Sequence, residues 1–156
     1  MRLTILAVGH RPAEWVNKGC AEYIKRMPRE LPLAIVDIKP ATRGTKTREQ
    51  LLAAEKERLL AALNGYDRTV ILDEKGDDLT TLRFAERLEH WLRAGGATAF
   101  VIGGADGVDA SLKRQAHDLI RLSSLTLPHA LARLILCEQL YRAASILRQH
   151  PYHREA

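Results

Sequence analysis

Val101-Ile102-Gly103-Gly104-Ala105-Asp106-Gly107 closes the apolar run from Ala97 to Ile102 and opens onto a helix predicted to begin near Asp109. A strand that ends in such a turn brings bare backbone N–H and C=O groups to the carboxyl edge of a sheet, where open α/β proteins bind ligands. The stretch reads as the floor of a small-molecule site, with a ligand-free strand-to-helix turn as the plainer alternative. Two other segments share its character. Ile71-Leu72-Asp73-Glu74-Lys75-Gly76 ends an earlier strand, and Leu122-Ser123-Ser124-Leu125-Thr126-Leu127-Pro128-His129 leads into the last helix.

Outward from this turn, strand and helix patterns alternate. Leu3 to Val8 is a continuous apolar run, suited to a strand covered on both faces. Val16, Cys20, Tyr23, Ile24 and Met27 then share one helical face. After a second strand from Leu33 to Ile38, Thr47 and Gln50 stand at capping-box spacing and predict a helix that turns Leu52, Leu59, Leu60 and Leu63 inward. Thr69 to Leu72 is a third strand, and Thr80 or Thr81 caps a helix with a stripe of Phe84, Leu88, Trp91 and Leu92. A short helix from about Ala110 to His117, a strand from Leu119 to Leu122 and a long helix from Pro128 to about Gln149 complete the pattern. It predicts an α/β fold: a single domain over residues 1–156, with a mostly parallel sheet flanked by helices.

Composition agrees with one soluble core, at 46% hydrophobic and 28% charged residues. Lys plus Arg exceed Asp plus Glu by 24 to 19, a formal +5 that leans toward a polyanionic partner. Cys20 and Cys137 have no metal-ligand spacing and read as reduced core thiols, with no zinc. There is no signal-peptide pattern at the N-terminus and no run of the ~18 apolar residues a membrane span needs, so the expectation is a cytoplasmic protein without membrane attachment. The spaced glycines of a dinucleotide turn, a phosphate loop and a glycine-flanked nucleophilic serine are all missing.

Three surface segments carry chemistry. Lys39 to Arg48, with four positive charges and no large apolar residue, reads as a mobile loop, either a solvated linker or a phosphate-contacting arm. The acidic turn Asp73 to Asp78 is explained by turn chemistry, with a metal or acid/base cluster as the alternative. The tail His150-Pro151-Tyr152-His153-Arg154-Glu155 packs two imidazoles, a phenol and a guanidinium together, groups able to grip a nucleotide or move a proton. The last helix is apolar around most of its circumference, which predicts a second subunit as its cover. Glu138, Arg142 and Ser145 form its polar stripe, the first two in the favourable i, i+4 order.

From end to end the chain resembles the SPOUT-class methyltransferases of large-subunit ribosomal RNA that act on N3 of a pseudouridine. The resemblance rests on LAVGHRPAEWV, ILDEKG, VIGGADG, LSSLTLPHALAR, CEQLYRA and HPYHRE in that order. Ala105-Asp106 departs from the Pro-Glu more usual in such relatives. The resemblance implies a C-terminal deep trefoil knot, which general threading rules would not predict. It also implies an S-adenosyl-L-methionine site lined by Leu72, Gly103, Gly104, Leu122, Ser123, Ser124, Leu125, Thr126 and Leu127. It further implies a homodimer acting on rRNA within the ribosome, with the partner's tail completing each site. Tyr152, His153 and Arg154 then become candidates for gripping the base and handling its proton. Arg142 would stabilise the imide anion, Glu138 would orient Arg142, and His129 is a weaker candidate. Methyl transfer requires no metal. A ribosome-associated RNA-binding protein without catalysis is the competing reading.

Overall fold

The computed structural model describes residues 1–154, and its first strand sets the architecture. In β1 (Arg2–Val8), Leu3, Ile5 and Ala7 enter one core while Leu6 and Val8 enter a second, the period-2 alternation of a strand buried on both faces. The remaining strands are β2 (Leu33–Ile38), β3 (Arg68–Asp78), β4 (Ala97–Ile102) and β5 (Asp118–Arg121). They form one parallel sheet in the order β2-β1-β4-β3-β5. The helices are α1 (Glu14–Arg26), α2 (Arg48–Leu63), α3 (Thr81–Ala94), α4 (Ala110–Gln115) and α5 (His129–Leu147).

Buried residues of α1, α3 and α5 fill the first core, and those of α2 and α4 the second. Successive strands step alternately left and right along the sheet, and the connecting helices alternate faces in step. All four crossovers therefore share one hand, as parallel βαβ units require.

Local chemistry fixes the helix starts. Thr47 and Gln50 form the reciprocal capping box, Thr80 caps α3 through the Arg83 N–H, and Asp109 accepts from the N–H groups of Ser111 and Leu112. In α2 the buried side is Leu51, Leu52, Glu55 and Leu59. Leu60, expected inward, is 38% exposed, because that face is a step round the helix from the predicted one. Trp91 anchors the first core, edge-on to Phe100 at 5.5 Å and donating its indole N–H to Asp118 at 3.0 Å.

The acidic turn after Leu72 proves to be strand. Leu72 and Asp77 both stand opposite Ile120, so residues 73–76 bulge outward between them. A Cβ on Gly76 would lie 2.6 Å from the backbone of Ile120, so only glycine lets the strand close again on β5. The three aspartates of this stretch are spent on ion pairs: Asp73 with Lys113, Asp77 with Arg87 and Asp78 with Arg121.

Helix α5 packs between α1 and α3, which accounts for most of its apolar circumference within one chain. Leu136, Cys137 and Leu140 are wholly buried there. Cys20 and Cys137 meet thiol to thiol across α1 and α5 as free cysteines. Among the described residues no helix is long and apolar enough to cross a membrane. Glu155, the last residue of the tail motif, lies outside the described residues.

Candidate functional site

Sheet register brings the three segments together. Leu72 of β3 stands opposite Ile102 of β4 and Ile120 of β5, on neighbouring strands. Gly103 and the segment Leu122 to Leu127 thus leave the sheet on either side of Leu72, within two strand spacings, about 10 Å. Beneath this edge lies a cleft of about 190 Å³ between α3, α5 and the sheet. Leu72, Phe84, Phe100, Ile120 and Leu122 make its apolar walls, and Thr81 and Gln139 are polar groups in its lining. Ser123 accepts the Leu125 N–H at 2.9 Å, and Leu125 is 76% exposed, an apolar side chain presented to whatever docks on this loop.

Gly103 and Gly104 do not line the cleft. A Cβ on Gly103 would lie 2.6 Å from both the Gly107 carbonyl oxygen and Val108 Cγ2, so this glycine is demanded by its own turn. Gly104 faces Val8 and the carboxylate of Glu55 on the α2 side of the sheet. Glu55 is buried and accepts the Ala41 N–H at 3.0 Å. Arg43 pairs with Asp106, and Arg48 donates to the Asp106 carbonyl at 2.9 Å. The basic segment Lys39 to Arg48, expected to be mobile, is therefore strapped to the VIGGADG turn through the acidic residue that marks its departure from the usual Pro-Glu.

His129 begins α5 with its ring against Gly9 at the end of β1. Burial and the neighbouring Arg133 cation push its pKa down, while Asp37 and the Val8 backbone pull the other way. Its buried Nε2 has no hydrogen-bond partner. Arg133 is 1% exposed and holds Asp37 at 2.7 Å, which ties the start of α5 to β2. His129 thus belongs to this anchor and not to the tail.

Glu138, Arg142, Tyr152 and His153 do meet. Arg142 donates to Glu138 at 2.6 Å, lies over the Tyr152 ring at 4.7 Å and reaches Nδ1 of His153 at 3.1 Å. Tyr152 packs edge-on to Tyr141 at 4.6 Å and donates to the Tyr23 hydroxyl at 3.4 Å. Burial first, then Tyr23 and the Glu138 charge, push the Tyr152 phenol up to about 12. The hydrogen bond to Glu138 holds Arg142 above its usual value, so it stays a cation. Arg154 is exposed and forms no ion pair among the described residues.

A hydrogen-bonded relay joins this cluster to the cleft. Glu138 accepts from the Gln139 amide at 3.0 Å, and Gln139 accepts from the Thr81 hydroxyl at 2.9 Å. Gln139 and Thr81 were not singled out in the sequence. Gln139 stands beside Glu138 in CEQLYRA, but Thr81 carried only a capping signal, and nothing local pairs it with a residue 58 positions away. Chemically the cluster is a set of donors: a guanidinium, a protonated phenol and an imidazole whose Nδ1 faces Arg142, leaving Nε2–H outward. Among the described residues no group of three or more His, Cys, Asp or Glu is placed to hold a metal.

A family model described as predicted SPOUT methyltransferase matches residues 1–153. The ribosomal RNA large subunit methyltransferase H of Dechloromonas aromatica (strain RCB) is 64% identical over 155 residues, covering 99% of each chain. The protein of that name from Ralstonia pickettii (strain 12J) is 53% identical over 155 residues, again covering 99% of each. Among solved structures, a probable methylase family protein from Haemophilus influenzae Rd KW20 superposes with a TM-score of 0.58. It is 14% identical, over 99% of this chain and 70% of that one, a likeness of fold.

Proposed function

The chain belongs to the SPOUT methyltransferase family, and from that premise we propose that it methylates N3 of a pseudouridine in 23S RNA of the large ribosomal subunit, with S-adenosyl-L-methionine as donor. The observation that carries this reading is the convergence of the β3, β4 and β5 ends around Leu72, beside an apolar cleft with a polar lining. The cleft suits one end of such a cofactor. Its volume of about 190 Å³ is below the ~300–1,000 Å³ of pockets that enclose a whole drug-sized ligand, so the remainder rests on the loops above. Leu72 and Leu122 would hold the cofactor from the cleft, Ser123, Ser124, Leu125, Thr126 and Leu127 from the loop. Gly103 and Gly104 would offer backbone groups at the end of β4.

When bound, S-adenosylmethionine supplies an electrophilic methyl group on sulfur. N3 of the base must lose its proton before or as its lone pair attacks, and the chain's part is to favour the anion and place it within about 3–3.5 Å of the methyl carbon. Arg142 and Nε2–H of His153 have donors to offer, and the Tyr152 phenol joins them by turning its single O–H from Tyr23, a long contact of 3.4 Å, to the base. They suit the imide oxygens of a deprotonated base, and a phenol raised to about 12 remains a donor at neutral pH. Glu138 positions Arg142, and Gln139 and Thr81 link that position to the cleft wall.

The proposed protein is a homodimer knotted at its C-terminal end as in its family, in which each tail, with Arg154 exposed at its tip, serves the partner's cleft. The relay from His153 to Gln139 favours a second reading, in which the tail serves its own cleft. Calorimetry with S-adenosylmethionine, followed by nucleoside analysis of methylated ribosomal RNA, tests the activity. Micromolar binding and a product methylated at N3 are expected. RNA binding without cofactor binding would leave a non-catalytic ribosome-associated protein.

A further inference from the structure

A second, larger recess of about 520 Å³ lies between α3 and β5, the strand at the edge of the sheet. It carries neither the apolar lining nor the loops of the cleft. Arg83, Glu86, Arg87 and His90 project into it from one face of α3, at i, i+3, i+4 and i+7. Arg68, His117 and Asp118 close the other side. Three guanidiniums thus face two carboxylates. Asp118 is already neutralised, because Arg87 holds it at 2.6 Å and Trp91 at 3.0 Å. Arg68 is fixed as wall by Thr98 and the Gly95 carbonyl.

Glu86 is, among the described residues, an unpaired carboxylate in the groove. Arg68 keeps its charge, since both its acceptors are neutral, so with Arg87 and Asp118 paired the two cations Arg68 and Arg83 outweigh it and the balance is basic. Among the described residues no side-chain hydrogen bond or ion pair holds Arg83 or His90, and both are exposed. Nδ1 of His117 accepts the Thr69 N–H at 3.0 Å, which leaves its Nε2–H as a donor. A guanidinium and imidazole donors along an open trough suit phosphodiester oxygens, the contacts that position a nucleic acid. The recess also has a direction: Leu79 lines both it and the cleft, so its inner end opens beside the candidate methyl-donor site.

We propose that this groove seats the phosphate backbone of the RNA strand flanking the methylated nucleotide. The proposal rests on the reading of the cleft as the methyl-transfer site. A strand lying in the groove would pass Leu79 and deliver its next nucleotide to the cleft mouth.

The test is the double charge reversal Arg83→Glu with His90→Glu, alongside the neutral pair Arg83→Gln with His90→Gln. Among the described residues these side chains hold no hydrogen bond or ion pair, so the fold should survive; circular dichroism checks it. Binding of unmodified large ribosomal subunits is measured over a salt series, and cofactor binding by calorimetry. The reversal should weaken RNA binding at least ten-fold, lower the slope of log K against log salt by about 1, and raise KM for the RNA substrate. The neutral pair should lie between it and wild type, and cofactor affinity should not change. An unchanged salt slope and KM in a folded reversal variant would overturn the proposal. So would binding of free inorganic phosphate in the groove without any effect of the variants on RNA. If the slope falls although the wild-type protein binds no cofactor, the groove assignment stands and the methyltransferase reading fails.

Discussion

The three glycines of VIGGADG separate the demands of the fold from those of a ligand. At Gly103 an added Cβ would meet the Gly107 carbonyl and Val108 Cγ2, both at 2.6 Å, so Gly103→Ala must open the turn. Overpacking of this kind costs about 1–3 kcal/mol. At about 2–4 °C per kcal/mol for a chain of this size, the midpoint should fall by roughly 2–12 °C. Gly107 has φ +85° with nothing near its Cβ position, so Gly107→Ala costs about 1–2 kcal/mol from the left-handed backbone alone. Gly104 has neither problem: its nearest neighbours, Glu55 and Val8, stand at 3.4 Å, and Gly104→Ala should stay within about 0.5 kcal/mol of wild type. Thermal unfolding by circular dichroism, with and without S-adenosylmethionine, reads all three. Gly104→Ala should keep its midpoint, and because its methyl points to Glu55 and Val8 on the α2 side, away from the cleft, it should change cofactor affinity less than about three-fold, whereas Leu122→Glu in the cleft wall should lower it ten-fold or more. A Gly103→Ala protein as stable as wild type would refute the close-approach argument. Gly103 is thus a poor probe of binding, because any loss of affinity there comes mixed with a loss of fold.

Truncation after Pro151 removes the Tyr152 contacts with Tyr141 and Tyr23, so the midpoint should drop by a few degrees, at roughly 0.5–1.5 kcal/mol for an aromatic pair, while methyl transfer falls at least 100-fold. Mixed with Leu122→Glu subunits, whose cleft wall is altered, at cofactor levels that load only the truncated chain, activity should return if tails act on the partner's cleft; inactive purified heterodimers would place the tail on its own chain. The dimer should be visible in sedimentation at micromolar concentration, and Trp15→Glu, at a side chain 61% exposed on α1, should weaken it, whereas Leu136→Glu would simply unfold a residue wholly inside one subunit. His129 has a depressed folded-state pKa, so on acidification below its ordinary 6.5 the unfolded chain takes up a proton that the buried ring refuses. Urea stability should therefore be fully present above 6.5 and decline as pH falls below it, and His129→Gln should flatten that decline; an unaltered pH profile would exclude the burial argument.

Strand and helix order was readable from the chain because each signal is local. Period-2 and period-3.6 patterns, Thr47 with Gln50, Thr80, and Asp109 act within a few residues, and the elements they specify are the ones that form. The same local reasoning marked the three glycine- and serine-bearing strand ends, and the sheet register then set them around Leu72. The motifs, matched in order along the whole chain, carried the family.

Tertiary structure alone decided how those parts are used. The acidic residues after Leu72 became a bulged strand because Ile120 pairs twice with it, a consequence of β5 lying beside β3 that no residue in the turn encodes. The basic arm is pinned because Asp106 and Glu55, 58 and 14 residues from their partners, arrive beside it only when the sheet forms. Helix α5 looked in need of a second subunit since a linear pattern reports how much of a helix is apolar and not what covers it; α1 and α3 supply most of that cover. The relay from His153 through Arg142, Glu138 and Gln139 to Thr81 joins three elements. Hydrogen bonds depend on distances of about 3 Å, and for groups far apart along the chain only the folded packing of helix against helix sets those distances.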